Sequence, residues 1–275
     1  VPLYGDGQPA WFAARVTYYG GVAARDLAVG GLNGDGWLDL VVGNGYSNVV
    51  HVLLNNGDGT FGATAVVSLA AAGSSVSDLT VHTGEQSSVG IDLGGAGASA
   101  ERVEVVGPSQ ANAASDSGII VRRGATIRDA IVTMPLHPQY ADYGISLAPS
   151  SYADPAATDT VIEDVRLAAG YGINVRPTTR SVAIRRGVIT AGIYGVHVAT
   201  PVPHVTVEDL SASAFWDGVQ FSTANAFGVY GTDSATAPTV VDLRHVSLSA
   251  AHSKGRAISV LQQALCAVPV NAVDS

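Results

Sequence analysis

The sequence has one cysteine, few charged residues and no long uninterrupted apolar segment. Because Cys266 is alone, the chain cannot form an intramolecular disulfide or a cysteine-based metal cluster. Charged residues make up 13% of the 275 residues, and the net charge of −9 argues against nucleic acid as a main partner. No run of about eighteen apolar residues is present, so we expect no membrane span. With 47% apolar residues, the chain is too apolar to be disordered.

Short β-branched segments alternate with clusters of glycine, asparagine and aspartate over residues 26–61. This pattern is typical of a β-meander with tight turns. A fragment around Gly5 and Phe12 resembles the end of this segment about fifty residues later, a period that fits one four-stranded propeller blade. Residues 1–67 resemble FG-GAP/VCBS repeats, which occur in integrin-like β-propellers and many secreted bacterial proteins. One blade cannot close a propeller, so the segment is either the last blade of a longer protein or a small sheet packed on the next domain.

The FG-GAP/VCBS resemblance implies a calcium-binding loop with glycine, here Gly36, at its bend. The ligands would be Asn33, Asp35, Asp39 and the backbone carbonyl of Trp37. The family has aspartate at the first ligand position, where this chain has Gly31, and the loss of one charged ligand weakens affinity. An Asx-rich turn that folds without metal is the alternative.

From residue 70 onward a shorter repeat governs the sequence. A small residue followed by apolar-x-apolar recurs at Gly90, Gly118, Gly144, Gly172, Gly195, Gly218 and Ala257. Between these triplets lie pairs of polar residues, which begin at Ser77, Glu101, Arg128, Glu163, Arg185, Glu208 and Arg244. Two consecutive outward residues make a corner between two strands. Each repeat of about 25 residues therefore reads as strand, corner, strand, turn and glycine-led strand.

Three short strands per coil predict an all-β fold, a parallel β-helix of about seven rungs over residues 70–275. This repeat pattern resembles the right-handed parallel β-helix of the pectate-lyase-like superfamily. The first residue of each polar pair alternates in sign over six rungs, from Glu101 to Arg244. Because rungs lie ~4.8 Å apart, the alternation predicts a ladder of opposite charges that selects the register. We assign these carboxylates a structural role rather than a catalytic one.

Members of that superfamily usually bind saccharide along one strand ladder and its flanking turns. In this chain the outward column of the glycine-led ladder is polar and mostly neutral, which suits sugar hydroxyls. The candidate substrate-binding residues are Ser146, Asn174, His197 and Gln220, with Tyr143, Tyr171 and Tyr194 on three successive rungs. Strand alternation favours a structural role for the tyrosines, although stacked rings could also offer flat faces to pyranose rings.

Catalysis would require acid or base groups on this ladder. Glycoside hydrolysis usually needs two carboxylates flanking the bond, and the ladder has no such pair. The aspartate cluster of polygalacturonases and the calcium and arginine set of pectate lyases do not carry over onto this sequence. His197 with Asp217 on the neighbouring rung is the best remaining acid/base candidate.

Three hypotheses for the function remain open. The first is an extracellular or cell-surface protein that binds or adheres to polysaccharide without catalysis. The second is a polysaccharide lyase or glycoside hydrolase that acts along the β-helix groove. The third is a structural spacer of a larger surface protein, because this type of fold hosts both enzymes and inert stalks. Calcium is the one cofactor that the sequence implies.

Overall fold

The computed structural model describes residues 24–31, 36–44, 50–55, 61–62, 67–83, 89–108, 116–136, 142–149, 151, 153–200, 202–215, 217–223, 240–253, 256–261 and 270–273. These residues form strands, turns and bends and contain no helix, so the prediction of an all-β fold is confirmed. Over the same residues, no segment has the length and apolar character of a membrane-crossing helix.

The strands of the described residues fall into two sheets. They are β1 (Ala24–Gly30), β2 (Asp39–Asn44), β3 (Val50–Asn55), β4 (Phe61–Gly62), β5 (Val67–Ser68), β6 (Ser75–His82), β7 (Val89–Leu93), β8 (Ala98–Val106), β9 (Ser117–Val121), β10 (Ala125–Thr133), β11 (Tyr143–Leu147), β12 (Thr160–Val175), β13 (Val182–Thr200), β14 (His204–Ala214), β15 (Asp217–Thr223), β16 (Val240–Arg244), β17 (Ser247–Ala250), β18 (Arg256–Leu261) and β19 (Val270–Val273). The first four strands form one sheet and the other fifteen form the second.

The four-stranded sheet is an antiparallel meander in the order β1-β2-β3-β4. Its strands coincide with the short β-branched segments, and the Gly/Asn/Asp clusters lie between them. Val42 of β2 is buried, whereas Leu27 and Val29 of the edge strand β1 are exposed. The predicted β-meander is therefore present.

Strands β5 to β19 wind into a parallel β-solenoid of about five turns. Each strand of one coil pairs in parallel with the equivalent strand of the next coil. The number of turns is slightly lower than the seven rungs expected, since strands near the ends are short: β5 has two residues and β17 and β19 have four each. Inward aliphatic side chains fill the interior, and Ile119, Ile145 and Ile173 stack there fully buried on successive coils.

Each polar pair forms a corner at which the second residue has a positive φ. These residues are Asp78, Arg102, Asp129, Asp164, Arg186, Asp209 and His245, with φ between 48° and 56°. The left-handed conformation costs an L-residue about 1–2 kcal/mol, and aspartate and histidine tolerate it better than most. The chain turns sharply at this residue, so apolar residues on both sides of the pair can point into the core.

The first residues of the pairs form the predicted ladder of opposite charges. Glu163 accepts hydrogen bonds from Nε of Arg128 at 3.1 Å and from Nη1 of Arg185 at 3.2 Å. Arg185 also lies 3.3 Å from Glu208, and the other oxygen of Glu208 lies 2.9 Å from Arg244. These ion pairs join five successive coils in the register that the sequence predicted.

Glu163 is the most enclosed member of this ladder. Its side chain is 11% exposed, and a third guanidinium, that of Arg186, lies 3.4 Å away. Burial alone would raise the pKa of Glu163, but the hydrogen bonds from Arg128 and Arg185 outweigh it and lower the pKa below its ordinary value. Glu101 at the end of the ladder is about half exposed and pairs with Arg102 of its own corner.

The glycine at the start of each glycine-led strand is required by the spacing of the coils. A Cβ added to Gly90, Gly118 or Gly144 would lie 2.6, 2.8 and 2.6 Å from the carbonyl oxygen of Gly118, Gly144 and Gly172, respectively. These oxygens belong to the backbone of the next coil and cannot withdraw as a flexible side chain would. The recurring glycine of the sequence repeat is therefore explained by close packing between coils.

Candidate functional site

Three tyrosines form a column on successive coils, as the sequence predicted. Tyr143 pairs in register with Tyr171, and Tyr171 pairs with Tyr194. The ring centroids are 5.1 Å apart in both pairs, with interplanar angles of 51° and 72°. All three residues are half-buried, so the rings line the outer rim of the solenoid instead of filling its core. Together with Ser146, Asn174 and His197 they make up what we call the Tyr–His face.

His197 is held in this face by both stacking and a hydrogen bond. Its ring stacks on Tyr194 with a centroid distance of 5.5 Å and an interplanar angle of 22°. Nδ1 lies 2.8 Å from Oδ1 of Asn174, and because an amide oxygen only accepts, Nδ1 carries the proton and donates it. Burial lowers the pKa of His197 to about 4. The imidazole is therefore neutral at physiological pH, and its Nε2 is an acceptor.

The lowered pKa of His197 predicts a pH dependence of folding. Between about pH 6.5, the ordinary histidine value, and about pH 4, the unfolded chain binds a proton that the folded chain does not. The free energy of unfolding should therefore fall by about 3 kcal/mol as the pH decreases through this range, and stay level above it. Urea titrations of the wild type and His197→Gln measure the effect, which the variant should lose. His82→Gln, at an exposed histidine, is the control and should keep the wild-type slope.

The phenol group of Tyr171 is also neutral over the physiological range. Burial, followed by the neighbouring hydroxyls of Tyr194 and Tyr143, raises the pKa of Tyr171 to about 12. A neutral phenol both donates and accepts a hydrogen bond. The face thus combines flat aromatic surface with uncharged hydrogen-bonding groups.

Other predicted members of the ladder are less accessible or are placed differently. Ser146 and Asn174 are 2% and 5% exposed, so they offer little surface to a ligand, and Asn174 serves to orient His197. Gln220 pairs in register with His197, but its side chain lies outside the described residues. Asp217 is the register partner of Tyr194 and of Arg256, whereas the register partner of His197 is Gln220. Asp217 therefore lies three residues before the position opposite His197.

The predicted calcium loop is only partly described. Asn33 and Asp35 lie outside the described residues. Asp39 is fully buried, and its Oδ1 accepts the backbone N–H of Asn55 at 2.9 Å, so this carboxylate joins the start of β2 to the end of β3. Trp37 is exposed. Among the described residues, no cluster of three or more histidine, cysteine, aspartate or glutamate side chains could hold a metal ion.

The structure also brings together two buried aspartates that sequence reasoning did not pair. Asp116 and Asp142 are 2% and 1% exposed, and the backbone N–H of Asp116 donates to Oδ1 of Asp142 at 3.3 Å. Their carbonyl oxygens accept the backbone N–H groups of Tyr143 and Tyr171. The backbone of both aspartates thus adjoins the Tyr–His face. The sequence does contain a pattern that could have paired them. On two successive rungs an aspartate stands two residues before the repeat glycine, which is Gly118 on one rung and Gly144 on the next.

Comparison with known proteins identifies one part of the chain. Residues 31–84 match the model of the FG-GAP-like repeat family, so the N-terminal resemblance is confirmed for this segment. The match begins at the predicted calcium loop and ends just beyond β6, past the expected boundary at residue 67. No curated protein and no solved structure matches the chain. The chain is therefore an FG-GAP-like repeat segment followed by a parallel β-solenoid.

Proposed function

We propose that this chain binds polysaccharide along the Tyr–His face and acts at the cell surface or outside the cell. The observation that carries the proposal is the column of half-buried tyrosine rings at a 5.1 Å spacing. The apolar face of a pyranose ring packs against an aromatic ring, and sugar hydroxyls exchange hydrogen bonds with phenols and with a neutral imidazole. A repeating ligand would meet a tyrosine ring at each of these three coils.

The proposal extends to the family of the solenoid. Three strands per coil with a two-residue corner support a right-handed β-helix of the pectate-lyase-like superfamily, because crossovers between parallel strands are right-handed in nearly all cases. Calcium binding at the loop that ends at Asp39 also stays a prediction from the sequence resemblance. Neither assignment is needed for the polysaccharide hypothesis.

Replacing Tyr171, the central ring, tests the proposed face. Tyr171→Ala should weaken binding to a polysaccharide selected from a glycan panel about tenfold, since one stacked ring contributes roughly 1 kcal/mol or more. Isothermal titration calorimetry with the full chain measures the change. Leu27→Ala, which removes an exposed apolar side chain from the four-stranded sheet, should leave the affinity unchanged. Absence of binding to every glycan at millimolar concentration would favour the structural-spacer hypothesis instead.

A second candidate function, a polysaccharide lyase or hydrolase, is favoured by the fixed tautomer of His197. Its Nε2 is an acceptor that could take a proton from substrate, although a base with a pKa of about 4 is weak at neutral pH. The register places Asp217 opposite Tyr194, so it is not aligned with His197 as a partner acid. Assays for unsaturated products and new reducing ends on the same glycans separate the two functions. Turnover that His197→Gln abolishes would establish the enzyme.

A further inference from the structure

A groove follows the left-handed corners of the solenoid, away from the residues of the Tyr–His face. Two depressions of about 650 and 440 Å³ lie along it and share Asp129, Asp164 and Arg166 at their junction. The second residues of the polar pairs line the groove, together with outward residues of the strands that follow them. We call this feature the corner groove.

The charges of the corner groove are paired along most of its length. Arg102 contacts both carboxylate oxygens of Asp78, at 2.6 and 2.8 Å, and Arg186 contacts both oxygens of Asp164 at 2.9 Å. Further along, His245 lies 3.3 Å from Asp209. Opposite charges on neighbouring coils thus stabilise these corners in the same way as the adjacent ladder.

The pairing breaks at the junction of the two depressions. The register sets Asp129 beside Asp164, so two carboxylates follow each other on neighbouring coils. Over the described residues, Asp129 has no ion partner within 4 Å, and neither does the exposed Arg166. Asp129 also has the left-handed conformation, with a φ of 48°. Neighbouring carboxylates without a counter-charge lower the stability of the fold. Where a regular pattern of opposite charges is interrupted in this way, a functional position is expected.

Apolar side chains flank the unpaired charges. Ile131 and Val188 are the register partners of Arg166 on the two neighbouring coils, and they are 42% and 54% exposed. We propose that the corner groove binds an extended basic polypeptide segment. Asp129 and Asp164 receive a lysine or arginine side chain, Arg166 donates hydrogen bonds to peptide carbonyls, and the two aliphatic residues contact the stems of the bound side chains.

Charge complementarity selects this occupant over the others. The chain has a net charge of −9, so an acidic polymer or a second copy of the chain would be repelled. A neutral polysaccharide would supply no counter-charge for Asp129. A basic segment neutralises the carboxylate of Asp129 and also gains from the long-range field of the chain.

Fluorescence anisotropy with the full chain and a short labelled peptide of alternating lysine and valine tests the proposal. Asp129→Asn should weaken binding about fivefold, the value of one exposed charge pair at its upper limit, and Asp129→Lys, which reverses the charge, should weaken it further. The control Asp26→Asn removes the same charge from an exposed position on the four-stranded sheet and should change the affinity by less than about twofold. A peptide of alternating glutamate and valine should not bind.

Several outcomes would overturn the inference. Equal weakening by Asp26→Asn would mean that net charge alone attracts the peptide, and absence of binding would exclude the site. Binding of glycan, or self-association measured by light scattering, that Asp129→Asn abolishes would assign the groove to another occupant. Thermal unfolding should show Asp129→Asn to be at least as stable as the wild type, because the variant removes a like-charge contact. Tyr171→Ala should not affect peptide binding, so this inference and the polysaccharide proposal can fail separately.

Discussion

Replacing Gly144 by alanine is expected to lower the free energy of unfolding by about 3 kcal/mol, the upper range for overpacking, because the new contact involves backbone. The added Cβ would lie 2.6 Å from the carbonyl oxygen of Gly172 in the next coil. That carbonyl can move only if the hydrogen bonds between coils lengthen. Alanine has less conformational entropy than glycine in the unfolded chain, which offsets only about 0.4–1 kcal/mol of this loss of stability. Urea denaturation with linear extrapolation measures the difference.

Gly94→Ala is the matched control for this substitution. Gly94 also lies in the solenoid, but the atom nearest to an added Cβ there is the carbonyl oxygen of Leu69 at 3.6 Å, an ordinary contact. The control should change the free energy of unfolding by no more than about 0.5 kcal/mol, with a small gain in stability favoured. Equal stabilities for the two variants would show that the coils are not closely packed at the glycine column.

Replacing Glu163 by glutamine should cost about 2 kcal/mol, between the values for an exposed and a buried ion pair, because the carboxylate is 11% exposed whereas its three arginine partners are 40–54% exposed. The amide would retain one acceptor oxygen but would present its NH₂ group to guanidinium donors. Arg128, Arg185 and Arg186 would then repel one another without the carboxylate between them. Glu101→Gln is the control, since Glu101 is about half exposed and forms an ion pair with Arg102 alone among the described residues. The control should cost less than about 1 kcal/mol.

The contribution of Glu163 should also depend on pH in a defined direction. Its pKa is lowered in the folded state, so the stabilisation is complete above about pH 4.5 and is lost as the pH falls through the folded value. Wild type and Glu163→Gln should therefore converge in stability in acid. A constant difference between them down to low pH would contradict the ion-pair explanation. The loss attributed to His197 lies at higher pH, between about 6.5 and 4, so the two effects can be separated.

The sequence was sufficient to predict the architecture of the solenoid because its signals are local and repeat. Alternation of apolar residues on each side of the polar pairs defined the corners, and the alternating signs from Arg128 to Arg244 defined which coils are neighbours. Both kinds of signal depend only on adjacent residues or adjacent coils. The same reasoning placed Tyr143, Tyr171 and Tyr194 in one column ahead of Asp217.

The accessibility of the candidate site could not be predicted in the same way. Strand alternation gives the side of the sheet on which Ser146 and Asn174 lie but not the exposed fraction of their side chains, which are 2% and 5% exposed. The burial of Asp116 and Asp142 beside the tyrosines is likewise not encoded in the alternation, since both residues precede the strands that carry it. The left-handed corners were also hidden in the sequence, because Arg102 and Arg186 occupy this conformation although arginine is not enriched in it.

The ladder of opposite charges restricts how the length of this solenoid can change. A solenoid has no closure condition, so coils can in principle be inserted or deleted. Loss of the coil that carries Arg185 would bring Glu163 against Glu208, whereas loss of two successive coils would bring Glu163 against Arg244. Because the corner charges alternate in sign, a gain or loss of two coils keeps opposite charges next to each other, whereas a gain or loss of one coil does not. Coils are therefore gained or lost in pairs with the smallest loss of stability.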